Sequence, residues 1–565
     1  MDSDRLKIVL CWHMHQPEYR DSETGQYRLP WTYLHAIKDY VDMAAHLEAE
    51  PGARAVVNFS PVLLEQIDDY ARQIMAHQEQ GIELRDPMLA ALAAPAFDTD
   101  PSLRLALIKG GLRAHEERLI KRFAPYRRLA EIAAMAGDRV DTIVYLNDQF
   151  IADLLVWQHL AWLGETARRG DVRIRRLMDK AAQYTLQDRH ALLLIIGELL
   201  ASATDRYRRL AERGQIELSV TPYAHPIVPL LLDIESAREA VPHMPLPALN
   251  RYPGGAARVH WHIEQALESF EQHFGCAPRG CWPSEGALSE ETLRMLADAG
   301  FRWTASGENV LRNSLKASHM DSDAGAFQVY QLHDIPITVF FRDDALSDLI
   351  GFSYSQWHAD DAVGNLVQRL EAIATTRAEH NNSVVSIIMD GENAWDHYPE
   401  NGYHFLNALY RKLSSHPRLR LTTYSALLDE GAAPVKLKRL VAGSWVHGTL
   451  STWIGDPDKN RAWDMLGDAK CAFDRVIAQG NLNAEQTSRA TRQLAICEGS
   501  DWFWWFGAHN PAAAVSDFDR LYRLNLTYLY RLLGESAPDY LSQPFTRGGG
   551  AAKQGGVMRR GTDSA

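Results

Sequence analysis

Two carboxylates stand out by what surrounds them. Glu285 lies in "RGCWPSEGALSEETL", between Trp282 and a helix start, and Asp390 ends the apolar run "SVVSIIMD", with Glu392 two residues on. Two opposed carboxyls are the minimum equipment for glycosidic cleavage: one, protonated, assists the leaving oxygen, while the other attacks carbon or activates water. The chain also offers imidazoles at His13 and His15 ("WHMHQP") and His225 ("YAHP"), a guanidinium at Arg342, and indoles at Trp282, Trp445, Trp453 and Trp502. An indole face matches the C–H groups of a sugar ring while its N–H can still donate. Histidine and arginine can hydrogen-bond hydroxyls and, when charged, shift the carboxyl pKa values.

Each residue has a plainer reading. A glutamate beside a helix start can simply answer the helix dipole, and an aspartate after an apolar strand can cap a turn. His225, flanked by prolines, can be a satisfied core histidine. In "DWFWWFG" the aromatics Trp502, Phe503, Trp504 and Trp505 cannot all face one side of a helix, so some of them pack in the core. Trp502 is the one expected at the cleft. Trp445 and Trp453 are read as sugar walls or as packing between domains.

What positions these groups is an alternation of strands and helices. Strand-like runs begin at Lys7, Arg54, Gln215, Arg279, Phe301, Ile335 and Ser383, and most end in polar or aromatic residues. Helical patterns lie between them. "SPVLLEQIDDYARQI" has Ser60 as cap, Pro61 at the first helical position, and Leu63, Ile67, Tyr70 and Ile74 on one face. Ser289, Glu290 and Glu291 open a helix that Gly300 stops. The pattern predicts an α/β protein, an incomplete seven-stranded parallel β/α barrel in which Glu285 occupies a βα loop where ligands bind. Residues 61–214 read as a largely helical insertion within a 1–405 barrel domain. A mainly helical domain, 406–545, completes the cleft, and a Gly-rich tail, 546–565, is expected to be disordered.

Composition sets the outer bounds. The chain has 565 residues, 46% hydrophobic and 23% charged, which suits a large globular protein. A formal net charge of −13 argues against nucleic acid or an anionic membrane as partner and suits a neutral polar substrate. The acidic start and the lack of a long apolar run predict a cytoplasmic protein. Five cysteines without paired spacing predict neither a disulfide scaffold nor a cysteine metal site.

Five fragments then fall in a telling order: "WHMHQP", "GQIELSVTPYAHP", "CWPSEGALSEE", "IIMDGENAWDHYP" and "GSWVHGTLSTWIG". Together they resemble the five conserved regions of glycoside hydrolase family 57, most closely its amylopullulanase and α-amylase branch, from about Ile8 to Gly455. "EGSDWFWWFG" extends the match. The resemblance implies a seven-stranded incomplete barrel, a retaining mechanism on α-glucans and no required metal or other cofactor. It makes Glu285 the nucleophile and Asp390 the general acid/base, with His13, His15 and His225 lining the subsite of the sugar being cleaved.

Two rival classes are weighed against this one. "HMH" at the end of a first barrel strand also begins metal-dependent hydrolases, and His13, His15, Asp390 and His225 make an imaginable ligand set; that reading leaves Glu285 and Trp282 unexplained. A catalytically dead glucan-binding protein would have lost one carboxylate, and both are present. Within the favoured class, the expected reaction is hydrolysis of α-1,4 and α-1,6 linkages in stored glycogen or maltodextrin. The alternative is transfer to a sugar hydroxyl, as in a 4-α-glucanotransferase or branching enzyme. Oligomeric state is not legible.

Overall fold

The apolar runs become strands buried on both faces, as parallel strands sandwiched between a barrel interior and outer helices must be. The structure, a computed structural model, describes residues 5–550 apart from 138, 321–324 and 378–382. Its strands are β1 (Leu6–Met14), β2 (Ala55–Phe59), β3 (Ile216–Val220), β4 (Gly280–Cys281), β5 (Trp303–Ser306), β6 (Tyr330–Leu332), β7 (Thr338–Phe341), β8 (Val384–Asp390), β9 (Leu419–Leu421) and β10 (Val435–Leu437). All nine residues of β1 are buried.

Across the sheet the order is β10-β6-β7-β5-β4-β3-β2-β1-β8, with β9 added to β1. The seven segments read from the sequence are β1 to β5, β7 and β8, and every pairing among them is parallel. The barrel is incomplete between β7 and β8. Just beyond β7 a single parallel bridge joins Arg342 to Ser386 of β8, the Asp343 amide donates to the Ser386 carbonyl at 2.8 Å, and Arg342 Nε donates to the Ile388 carbonyl at 2.9 Å. The seam brings the carboxyl ends of both strands to one rim.

Residues 61–214 contain helices and no strand among the described residues, from Pro61–Gln80 to Leu186–Glu212. The sheet does not stop at 405, however. β9 pairs with β1 and β10 with β6, so the chain returns to the barrel before the helices Pro457–Gln479, Ala484–Cys497, Ser500–Trp505 and Ala512–Leu532. The tail needs a similar correction at its start. Thr546 is buried, accepts from the Gly507 amide and donates to Asp458, and the Gly549 and Gly550 amides both donate to the Asn510 carbonyl. Residues 551–565 lie outside the described residues. No described helix is long and apolar enough to cross a membrane.

Candidate active site

Two strained residues mark the site. Glu285 sits in a 3-10 turn, Ser284–Gly286, with φ 57° and ψ 22°, and His225 has φ 59°. Left-handed backbone is uncommon for residues other than glycine and costs on the order of 1–3 kcal/mol, sustained only where the surroundings over-determine it. The loop of "GSWVHG" supplies that constraint. The Trp445 amide donates to the Glu285 carbonyl at 3.0 Å, and the Trp445 indole donates to Glu285 Oε2 at 2.9 Å. Gly286 is required for close approach: a Cβ there would meet the Trp282 ring at 2.8 Å, at a φ of +59°. Gly391 serves β8 in the same way, since a Cβ would strike Met14 Sδ at 2.1 Å, and its amide donates to the His13 carbonyl at 2.7 Å. Asp390 is thereby held opposite His13, its register partner on β1.

Glu285, Asp390, Glu392, His13, His15, His225, Arg342 and Trp445 all line one cavity of about 650 Å³. Burial pushes the Glu285 carboxyl up to about 8, and the Asp390 charge adds to it against the Trp445 hydrogen bond. Burial also raises Asp390, although Asn393 donates to its Oδ2 at 3.0 Å. Glu392 is raised well above the ordinary range by burial and then by Asp390, and Gln16 donates to its Oε1 at 3.1 Å. The charge of Asp390 thus bears on both glutamates, Glu285 and Glu392, and favours their protonated forms.

The imidazoles form a stack. His15 and His225 lie 3.8 Å apart at 13°, and His13 Nε2 meets His225 Nε2 at 3.1 Å. Each ring is oriented from behind: His13 Nδ1 by Asn58 at 2.7 Å, His15 Nδ1 by the Ser60 hydroxyl at 2.7 Å, and His225 Nδ1 by Ser500 at 2.8 Å. Burial, reinforced by His15, lowers His13 to about 3 and drives His225 well below its ordinary value, so both are neutral hydrogen-bonding groups. His15 Nε2 faces both oxygens of Asp501, at 3.1 and 3.0 Å.

The ligand set imagined from the sequence is not the one that converges. His15, His225 and Asp501 bring their donor atoms within 4.8 Å of one another, without His13 or Asp390. Because His15 and His225 are stacked nearly parallel, their in-plane lone pairs cannot both aim at one ion roughly 2.1 Å away. The arrangement suits hydroxyl recognition better than metal coordination.

Three expected sugar walls do not reach the cavity. Trp282 and Trp453 are fully buried behind it, Trp282 edge-on to Trp445 at 5.2 Å and Trp453 beside Trp504 at 5.8 Å. Trp502 points into the helical core, donating to the Ile496 carbonyl at 2.7 Å. On the helix Ser500–Trp505, residues 501, 504 and 505 share a face, and that face lines the cleft. Asp501, Trp504 and Trp505 are therefore the contributions of this motif. Arg342 reaches the cavity but is tethered by Asp344 at 2.6 Å and Asp348 at 2.8 Å, with its guanidinium 5.5 Å from the Trp445 ring centre. Two carboxylates thus hold its guanidinium beside Trp445. Sequence reasoning also passed over Gln16 and Asn393, although each adjoins a quoted residue, and Trp31 and Trp162, which no local motif marks.

Comparison with known proteins places this geometry. The glycosyl hydrolase family 57 model matches residues 9–438. The chain belongs to that family. Among curated proteins none matches. Among solved structures the fold is similar to a family 57 branching enzyme from Thermococcus kodakaraensis, crystallised with glucose, at 15% identity and a TM-score of 0.55, covering 94% of this chain and 90% of that one. A branching enzyme of the same family from Pyrococcus horikoshii gives 15% and 0.55 over 96% and 97%. The α-amylase AmyC from Thermotoga maritima gives 13% and 0.55 over 94% and 97%. At such identities the likeness is one of fold.

Proposed function

We propose that this family 57 chain cleaves α-glucans by double displacement. The Glu285 carboxylate attacks the anomeric carbon while Asp390 gives its proton to the departing glycosidic oxygen, leaving a β-linked ester on Glu285. Asp390, now a carboxylate, takes a proton from the incoming acceptor, whose oxygen displaces Glu285 and restores the α-configuration. One observation carries the reading: Glu285 and Asp390 are half-buried carboxyls on one cavity, the Asp390 charge raises Glu285, and among the described residues their side-chain hydrogen bonds come from neutral donors, Trp445 and Asn393. Burial and the Asp390 charge favour a protonated Glu285, so the reactive form needs that proton on Asp390 before attack. Neutral His13 and His225 can hold the hydroxyls of the sugar being cleaved.

Water is the proposed acceptor, with α-1,4 and α-1,6 bonds of glycogen or maltodextrin as substrate, in the manner of an α-amylase or amylopullulanase. A specific observation favours a second reading, transfer to a sugar, as in a 4-α-glucanotransferase or branching enzyme. The cavity walls include Trp31, Trp162, Trp504, Trp505 and Phe518, an apolar surface that can seat an acceptor ring. Incubation with maltoheptaose, amylose and pullulan tests both. New reducing ends that are first formed as the α-anomer support retaining hydrolysis. Redistributed chain lengths or new branches without reducing ends support transfer, and β-anomers would overturn double displacement.

A further inference from the structure

Of the fifteen tryptophans, fourteen are buried or half-buried and one, Trp357, is 46% exposed. Trp357 is thus the one tryptophan that stands exposed, and an exposed indole is a candidate contact for something apolar on one face. Trp357 ends the 3-10 turn Tyr354–Gln356, its amide donates to the Tyr354 carbonyl at 3.0 Å, and its ring meets Tyr354 edge-on at 5.4 Å. Its neighbours Gln356 and His358 are exposed too, so polar side chains flank the indole.

The turn is coupled to the cleft at two points. Five residues before the indole, Phe352 lines the catalytic cavity together with Gly351. Arg118 then ties the turn to a second cavity-lining loop, donating from Nη2 to the Ser355 carbonyl at 3.4 Å and from Nε to the carbonyl of His397, itself a cavity residue. Trp357 thus stands on the rim, outside the cavity that holds Glu285.

We propose that Trp357 is an outer binding platform for the α-glucan chain where it leaves the cleft, an inference that rests on the α-glucan reading of the site. The apolar face of a glucosyl ring stacks on the indole, and Gln356 and His358 are placed to bond its hydroxyls. A platform beyond the cavity makes the enzyme prefer long chains, because a short oligosaccharide fills the cleft without reaching the rim.

The test uses the full chain and two variants, W357A and W357F, with Tm recorded for each. Affinity electrophoresis through gels containing glycogen or amylose, in the E285Q background, reads binding without turnover. W357A should weaken retention about 3- to 10-fold, as expected for one lost stacking contact, and W357F less. In the active enzyme, W357A should raise KM for amylose more than KM for maltotriose by the same order. Unchanged retention, or an equal rise for both substrates, would overturn the platform. Retention that falls with W357A in a protein that turns over no α-glucan would keep the platform and sink the functional reading, so the two failures are separable.

Discussion

Glu285 and Glu498 are both glutamates in quoted motifs of this chain, the first half-buried and the second fully buried, and their surroundings treat them in opposite ways. Glu498 receives Arg258 through Nε at 2.8 Å and Nη2 at 2.8 Å, His262 at 2.8 Å and the Tyr252 hydroxyl at 2.6 Å. Burial alone would raise its pKa, but Arg258 and His262 outweigh it and hold the carboxyl at about 2. Glu285 receives one indole N–H, has Asp390 for a neighbour, and stands at about 8. The first group is compensated and therefore structural, joining the helix Gly255–Phe274 to the end of Ala484–Cys497. The second is left uncompensated at a cost in stability, which a fold bears where chemistry needs it.

The comparison is broken most directly by exchanging carboxylate for amide. Glu285→Gln should cut turnover of every α-glucan by about 10⁴-fold, ~5.4 kcal/mol of barrier, with no loss of Tm. Asp390→Asn should lose most activity on glucans but keep a fast first step on an aryl glycoside that needs no proton. Azide should then capture the β-linked intermediate with inversion and release an α-glycosyl azide. A β-azide from the Asp390 variant would reverse the two assignments. Glu498→Gln should do the opposite, costing about 3–5 kcal/mol of stability by leaving Arg258 buried without its counter-charge. Urea unfolding measures it, and a variant as stable as the parent would show the cluster to be dispensable.

Stability against pH sharpens the same contrast. Glu498, depressed from 4.5 to about 2, contributes stability that is present above 4.5 and lost as pH falls through that window. Glu285, raised from 4.5 to about 8, binds its proton more tightly folded than unfolded, so its contribution falls as pH rises from 4.5 to 8. Glu285→Gln should therefore raise Tm relative to the parent by a few degrees at pH 8.5 and hardly at pH 4.5. Equal shifts at both pH values would mean that Glu285 is not held protonated.

How much of this could be read beforehand follows from the length of the signals. Runs such as "KIVLCW" and "VVSIIM" are long, apolar and β-branched, so strands of that kind were legible; β4, only Gly280–Cys281, was legible instead from the break at Pro283, and fixed loops after the strands carried Glu285, Asp390 and the three histidines. β6, β9 and β10 have three residues each, too short for any periodicity, and they moved the barrel's end beyond 405. Asp501 was hidden for a different reason. Its partner His15 is 486 residues away, and within "DWFWW" helical phase, not residue type, decides which side chains meet the cleft.

The smallest effects concern two serines that look alike in sequence, each preceding a helix. Ser289 is a working cap: its hydroxyl accepts from the Thr292 amide at 3.2 Å, so Ser289→Ala should cost about 1 kcal/mol of stability with kcat/KM unchanged. Ser60 makes no side-chain cap to the helix Pro61–Gln80, because its hydroxyl is turned to His15 Nδ1 at 2.7 Å. A hydroxyl that orients an imidazole from behind acts through that ring, as outer partners of ligand histidines do. Ser60→Ala should accordingly leave Tm within about half the loss caused by Ser289→Ala while lowering kcat/KM by roughly 10-fold, and Ser60→Thr, which keeps the hydroxyl, should recover most of that activity. The pair inverts the reading by position alone, since the same residue type before a helix is structural at 289 and catalytic support at 60. Equal stability losses from the two alanines, with activity untouched at Ser60, would return Ser60 to the role of an ordinary cap and leave His15 held by Asp501 alone.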